Sequence, residues 1–279
     1  MMDRLTLPTE EIYDGCGFVH QRSVTETYPL HTHNFYEFFY IVSGRAIHNI
    51  NGEKRLIQDG DLTLIRPDDI HSYEFINNWD IEIISTGFSR EEFSAAIAYL
   101  DADEQNIISR KFPLTVSFSG YSKNDIYRKL MEISHKEHGA ERKTYFRRLL
   151  IEILYKFLME EQEEGIIIPE HISEIVVEMR KKENYTAGLK RMLEISCISQ
   201  EHLTREFRKY LNLTPTEFIN LKRLDYAAQL LSRGDAEIID VCFACGFNSV
   251  SHFYHKFKER FGCSPAKFAE KSNDRFLDK

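Results

Sequence analysis

The chain has 279 residues, 42% of them hydrophobic and 29% charged, with 7 prolines and 13 glycines; this excludes collagen-like and disordered classes and leaves room for about two domains with real cores. No apolar run approaches the roughly 18 residues that cross a bilayer, and the acids in MMDRLTLPTEEIYDG do not fit a signal peptide, so a cytoplasmic protein with no membrane partner is expected. Cys16, Cys197, Cys242, Cys245 and Cys263 form an odd, sparse set that suits free thiols in a reducing compartment. The net charge of -8 speaks against a nucleic-acid partner until it is divided. From His171 onward, 18 Lys and Arg face 15 Asp and Glu, a surplus of +3, which leaves -11 for the residues before it.

Residues 28–88 read as short strands with turn punctuation. FFYIV stops at Ser43-Gly44, RAIHNI and EKRLI flank Asn51-Gly52, LTLI follows Gly60-Asp61, and DIEIIS alternates polar and apolar positions. Asn-Gly supplies the two positive φ angles of a type I′ hairpin turn. Such a pattern predicts a small antiparallel barrel or sandwich over residues 1–90. Within it, His31-x-His33-x-x-x-Glu37 and the later His71 form a set of imidazoles and a carboxylate suited to Zn, Ni, Mn or Fe. If the chain is extended there, His31, His33 and Glu37 share one sheet face. The alternative is that the histidines hydrogen-bond a small molecule directly. Tyr73 points to the same side as His71, and Trp79, the single Trp, offers a face for stacking on a sugar ring.

From Arg90 to Gly165 the pattern becomes helical. Phe146, Leu149, Leu150, Ile153, Leu154, Phe157 and Leu158 step by three and four within Tyr145 to Glu160, one wide apolar stripe. Ser122 to His138 opens on a candidate capping box, Ser122 and Asp125, and carries Ile126, Leu130 and Ile133. The two helices form a hairpin over 91–165 whose stripes pack on the barrel or make a homodimer seam. EEQEEG and IIIP then link to a second domain, 170–279.

That second domain contains a repeat at a constant offset of fifty residues. Ser199 pairs with Ser249, His202 with His252, Phe207 with Phe257, Thr214-Pro215 with Ser264-Pro265, and Phe218 with Phe268. Each copy has helix-turn-helix grammar: IIDVCFA, Gly246 at the turn, Ser249 as cap, then Val250 to Arg260, with Ser196 taking the Gly246 position in the first copy. Serine-capped helix starts also offer free N–H groups to phosphates. A helix from Pro215 to about Ser232, roughly 25 Å long, would space two recognition helices about one DNA turn apart. Leu203, Phe207, Phe253, Phe257 and Phe261 read as core, and Cys242-x-x-Cys245 as packing rather than a redox or metal pair.

The run IIDVCFACGFNSVSHFYHKFKERFGCSPAKF, with Arg223, Ala227, Leu230 and Leu231 in the linking helix, resembles the signature of AraC/XylS-type transcription regulators. The resemblance implies double-stranded DNA as partner, an effector, RNA polymerase where the regulator activates, and no cofactor required for DNA binding. Carried over by position, the base-facing residues are Glu201, His202, Thr204 and Arg205, then Val250, Ser251, Tyr254 and His255, with Lys258 on a phosphate. Arg205 stands out because its fork can grip guanine O6 and N7. His255 stands where the family often has Arg, and Cys242 where it has Ala. The histidine segment is similar to the first cupin motif, closing at Gly44, and Gly60, Arg66, Asp68 and His71 to the second, with Arg66 and Asp68 in place of Pro and Gly. HNFYEFF, His71-Ser72-Tyr73-Glu74-Phe75 and SQEHLTREF are similar to regulators of chitobiose and related oligosaccharide operons, which implies a carbohydrate effector.

The expected architecture is therefore an α+β multidomain chain: a cupin-like β-barrel with a helical hairpin, then an all-α domain with two helix-turn-helix units. The expected function is an effector-controlled DNA-binding regulator acting as a homodimer, not an enzyme. The rival is a metal-dependent cupin enzyme carrying a DNA-binding tail, with the metal held by His31, His33, Glu37 and His71.

Overall fold

The computed structural model describes residues 16–22, 29–76, 81–160, 166–234 and 236–270. The chain divides into two compact units, residues 1–167 and 168–279. The first begins with strands β1 (Val19–Arg22), β2 (Tyr36–Ser43), β3 (Arg45–Ile50), β4 (Glu53–Gln58), β5 (Asp61–Ile65), β6 (His71–Phe75) and β7 (Glu82–Phe88). Helices α1 (Arg90–Tyr99) and α2 (Glu104–Ile108), strand β8 (Thr115–Ser117), and helices α3 (Gly120–His135) and α4 (Ala140–Met159) follow.

These strands form two antiparallel sheets, ordered β1-β7-β2-β5-β8 and β4-β3-β6. Of the two expected forms, the described residues show the sandwich: among them the sheets are not closed by a continuous hydrogen-bonded ladder, which corrects the barrel expectation to that extent. Pleat alternation distributes β2 between two cores. Tyr36, Phe38 and Tyr40 face the helices together with Leu62, Leu64, Phe88, Phe93, Phe146 and Phe157. Phe39 and Ile41 face the small sheet, with Ala46, Ile50, Ile57, Tyr73 and Phe75. A sheet covered on both faces explains why FFYIV is a continuous apolar run.

The turn at Asn51-Gly52 has both φ angles positive, at 50° and 85°, as a type I′ turn demands. Gly60 (φ +92°) is required for a second reason: a Cβ there would lie 2.1 Å from the Phe118 carbonyl oxygen. The apolar stripe of α4 is buried against α1 and the large sheet from Phe146 through Phe157. The expected cap of α3 shifts by three residues, from Ser122 to Ser119. The helix begins at Gly120 with Ser119 as cap, the Ser122 hydroxyl accepts from the Ser119 N–H, and Asp125 instead pairs with Arg128 and Lys129.

The second unit is helical: α5 (Glu170–Glu178), α6 (Lys182–Ala187), α7 (Leu189–Ser196), α8 (Gln200–Leu211), α9 (Pro215–Arg233), α10 (Ile238–Ala244) and α11 (Val250–Phe261). The fifty-residue repeat relates α7 to α10 and α8 to α11. Ser199 and Ser249 accept hydrogen bonds from the His202 and His252 N–H groups. Thr214 and Glu217 form a capping box around Pro215, which starts α9. Leu203, Phe207, Phe253 and Phe257 are fully buried, while Phe261 is half-buried against Phe257 and Phe268. One turn differs from expectation: Ser196 ends α7, and the left-handed residue of the first unit is Cys197 (φ 55°). None of the helices is long and apolar enough to cross a membrane, among the described residues.

Candidate effector site and candidate nucleic-acid interface

His31 and His33 precede β2 and do not lie on one extended strand with Glu37, which corrects the shared-face expectation. The chain is clamped there instead. His31 and His71 exchange backbone hydrogen bonds of 3.0 and 2.9 Å, and the Asp68 N–H donates to the His33 carbonyl at 3.0 Å. Bends at Asn34 and Phe35 then lead into β2, where Glu37 points into the space between the sheets. In this way two segments separated by about thirty-five residues bring His33, Glu37 and His71 together, all buried, with donor atoms within 4.8 Å of one another.

His33 Nδ1 donates to the Phe35 carbonyl at 2.7 Å, and its Nε2 lies 3.1 Å from Glu37 Oε2. His71 Nε2 lies 4.0 Å from the same oxygen, and neither ring nitrogen of His71 has a hydrogen-bond partner among the described residues. Ser85 donates to Glu37 Oε1. Burial by itself raises the Glu37 carboxyl, but the His33 hydrogen bond, followed by the attraction of His71 and the bond from Ser85, brings it down to about 2. Burial also drives His71 well below the usual histidine range. An ionised carboxylate and a neutral imidazole are the forms that bind metal.

His31 stands outside this trio. Its Nδ1 donates to the Pro29 carbonyl at 2.9 Å, and its ring lies 4.2 Å from that of His71. Tyr73 is buried on the same side as His71, as strand alternation implies, with its ring stacked between Phe39 at 3.8 Å and His48 at 4.4 Å. Trp79 lies outside the described residues.

Sequence reasoning missed three supporting features. His48, paired in register with Tyr73, is buried with no partner for Nε2 among the described residues, and burial lowers it to about 3. The loop before His71 is pinned by Arg66, which binds Asp69 through both Nε and a terminal nitrogen and also reaches the carbonyls of Ile107, Ile108 and Arg110 at the end of α2. Asn51 reads the same loop, donating to Asp69 and accepting from the Ile70 N–H. Asp68, where the cupin pattern has Gly, adopts a left-handed φ of 71°. A signal for His48 was present in RAIHNI, since a histidine on the apolar face of a strand is buried by its register.

In the second unit, α8 and α11 show the same alternation of exposure from Glu201 and Ser251 through Tyr210 and Arg260. Glu201, His202, Arg205, Ser251 and His255 are exposed, whereas Thr204, Val250 and Tyr254 are half-buried. Thr204 has its hydroxyl turned back to the Gln200 carbonyl at 2.7 Å. The exposed Gln200 is the repeat counterpart of Val250, a position the sequence reading omitted. Lys258 is exposed in the last turn of α11. Both thiols of Cys242 and Cys245 are buried, and burial pushes them up, Cys245 to about 12, which suits packing.

Two family models match the chain: one described as an AraC-like ligand binding domain over residues 18–150, and one described as a helix-turn-helix domain over residues 192–271. The chain belongs to the AraC family. It is similar to the HTH-type transcriptional activator RhaS of Escherichia coli O6:H1, 26% identical over 266 residues, covering 90% of each chain. The RhaS activator of Escherichia fergusonii is 23% identical over 250 residues, covering 87% of this chain and 88% of that one. Apo ToxT of Vibrio cholerae strain SCE256 is 17% identical, covers 91% of this chain and 97% of its own, and has a TM-score of 0.41. This AraC-family chain is a DNA-binding transcription regulator with an N-terminal ligand-binding domain.

Proposed function

We propose that the chain activates transcription as a homodimer when a small oxygen-rich effector, a carbohydrate, occupies the inter-sheet site around His33, Glu37 and His71. The observation that carries the location is the group of buried polar atoms that have no hydrogen-bond partner among the described residues: both His71 nitrogens, His48 Nε2 and the Tyr73 hydroxyl. Buried polar groups are normally hydrogen-bonded, so a cluster of exceptions marks a place where a ligand completes the network. Activation follows the RhaS relatives, and contact with RNA polymerase goes with it. A cytoplasmic location goes with a DNA target.

His33, Glu37 and His71 suit a divalent cation such as Zn, Ni, Mn or Fe. Two imidazoles and one carboxylate are a sufficient donor set, and with His33 Nδ1 held by the Phe35 carbonyl, Nε2 is the ring atom that would give up its proton to a cation. The cation would supply Lewis-acid attraction for effector oxygens; Glu37 holds charge, and Ser85 orients the carboxylate. His31 flanks His71 and shapes the wall. Effector binding shifts the regulator only in so far as it favours one arrangement over another.

In the C-terminal unit, Glu201, His202, Thr204 and Arg205, then Val250, Ser251, Tyr254 and His255, face bases, and Lys258 meets a phosphate. The same three-residue donor set also matches a facial triad of oxygenases, so the rival reading, a metal-dependent enzyme, predicts turnover of a bound sugar or acid. The deciding experiment is a thermal-shift screen of sugars and divalent metals on the full chain, with product analysis of each hit. Stabilisation without turnover supports the regulator, and turnover lost in His33→Ala supports the enzyme.

A further inference from the structure

The turns of the two helix-turn-helix units are related by the repeat but differ in what surrounds them. In the first, the left-handed residue is Cys197, which is exposed. In the second it is Gly246 (φ +86°), and a Cβ there would lie 2.4 Å from the Thr186 carbonyl oxygen and 2.9 Å from the Thr186 Cα. Left-handed geometry alone is tolerated by a cysteine in this fold, so what demands glycine at 246 is the close approach to α6.

The other side of the same backbone is held by Arg223, in the middle of α9. Its Nε donates to the Tyr185 carbonyl at 2.9 Å and a terminal nitrogen to the Thr186 carbonyl at 2.8 Å. These carbonyls lie in the last turn of α6, where no following turn satisfies them. Gly188 both ends α6 and begins α7, and a Cβ there would lie 2.7 Å from an Arg223 nitrogen. The first unit therefore starts at a residue that touches Arg223.

From Arg223 the contacts continue into the second unit. Its guanidinium lies 5.7 Å from the Phe247 ring centroid, and Phe247 packs at 5.2 Å on Phe253 of α11. Two residues along α9, Asp225 accepts from Arg260 of α11 at 2.6 Å, both side chains being buried. Recognition helix α11 is thus fixed to α9 at one end by an ion pair and at the other through Phe247.

We infer that Arg223 and Gly246 form a joint that locks the two recognition helices into one rigid reader and so sets the half-site spacing that the protein accepts. The inference rests on the reading that both units contact DNA. A rigid reader meets a misspaced pair of half-sites only by deforming the duplex or releasing one site, both of which cost affinity. A loosened joint accommodates the shift. Arg223 is a positioning residue here: it acts through α6 and Phe247 and touches no base.

The test uses the full chain and a duplex selected by it from a random pool. Binding is compared on that duplex and on versions with one base pair inserted or removed between the two protected half-sites. The wild type is expected to lose roughly tenfold or more in affinity on misspaced duplexes. Arg223→Ala and Gly246→Ala should cut that loss to about threefold or less, while single-base substitutions within each half-site keep their wild-type penalties. Arg223→Lys keeps the charge but loses the planar fork that spans both carbonyls, and it carries the same reading if the alanine variant is unfolded by thermal melt. An unchanged spacing penalty in folded variants overturns the joint alone. A wild-type chain that selects no duplex overturns the DNA reading and the joint with it.

Discussion

His33 Nε2 lies 3.1 Å from Glu37 Oε2 while the other nitrogen of the same ring donates to the Phe35 carbonyl. A neutral ring in that tautomer turns a lone pair toward a carboxylate, which is repulsive unless a second proton or a cation lies between them. The reading with a cation predicts one equivalent of Zn or Co bound per chain in equilibrium dialysis. Glu37→Ala and His71→Ala should weaken binding by about tenfold or more. His31→Ala should weaken it far less, since the donor atoms that lie within 4.8 Å of one another come from His33, Glu37 and His71. Equal losses for His31 and His71 would restore the four-ligand set.

The buried histidines make stability fall with pH. His48 titrates near 6.5 when unfolded but only at about 3 in the fold, because burial disfavours its charged form. Between those values the unfolded state holds more protons, so stability is full above pH 6.5 and declines as pH drops. The slope contributed by one such histidine is about 1.4 kcal/mol per pH unit. Urea unfolding from about pH 7 to pH 5 should show the decline, and His48→Phe should flatten it.

Phe207 and Phe257 occupy equivalent, fully buried positions in the two units. Replacing either by alanine should cost about 3 to 5 kcal/mol in denaturant unfolding of the full chain. A cost below about 1 kcal/mol at either position would mean that the unit is not packed as described.

Much of this was legible in the sequence because the signals are local. The Ser199 and Ser249 caps, the Asn51-Gly52 turn and the apolar stripe of α4 each depend on residues a few positions apart. The choice between barrel and open sandwich was not legible, since closure depends on which strands pair at the sheet edges. Nor was the exclusion of His31 from the buried trio, which follows from a backbone bridge to His71 forty residues away. Ser196 was misplaced because the repeat aligns it with Gly246, whereas α7 runs two residues further than α10 and its left-handed residue, Cys197, falls one position later.

The recognition helices predict distinct kinds of loss. Arg205→Ala should cost about 1 to 3 kcal/mol on the selected duplex and relax the base preference at one position. Lys258→Ala should weaken binding about equally on all sequences and reduce the salt slope by about 1. Fluorescence anisotropy titrations over a range of salt concentrations separate the two.

The central claim is that α8 and α11 enter two successive major grooves. Guanine methylation interference on the selected duplex, with the full wild-type chain, tests it most directly. The account predicts two clusters of interfering guanine N7 positions on one face of the duplex, about 10 base pairs apart. A single cluster, or two clusters on opposite faces, would contradict it.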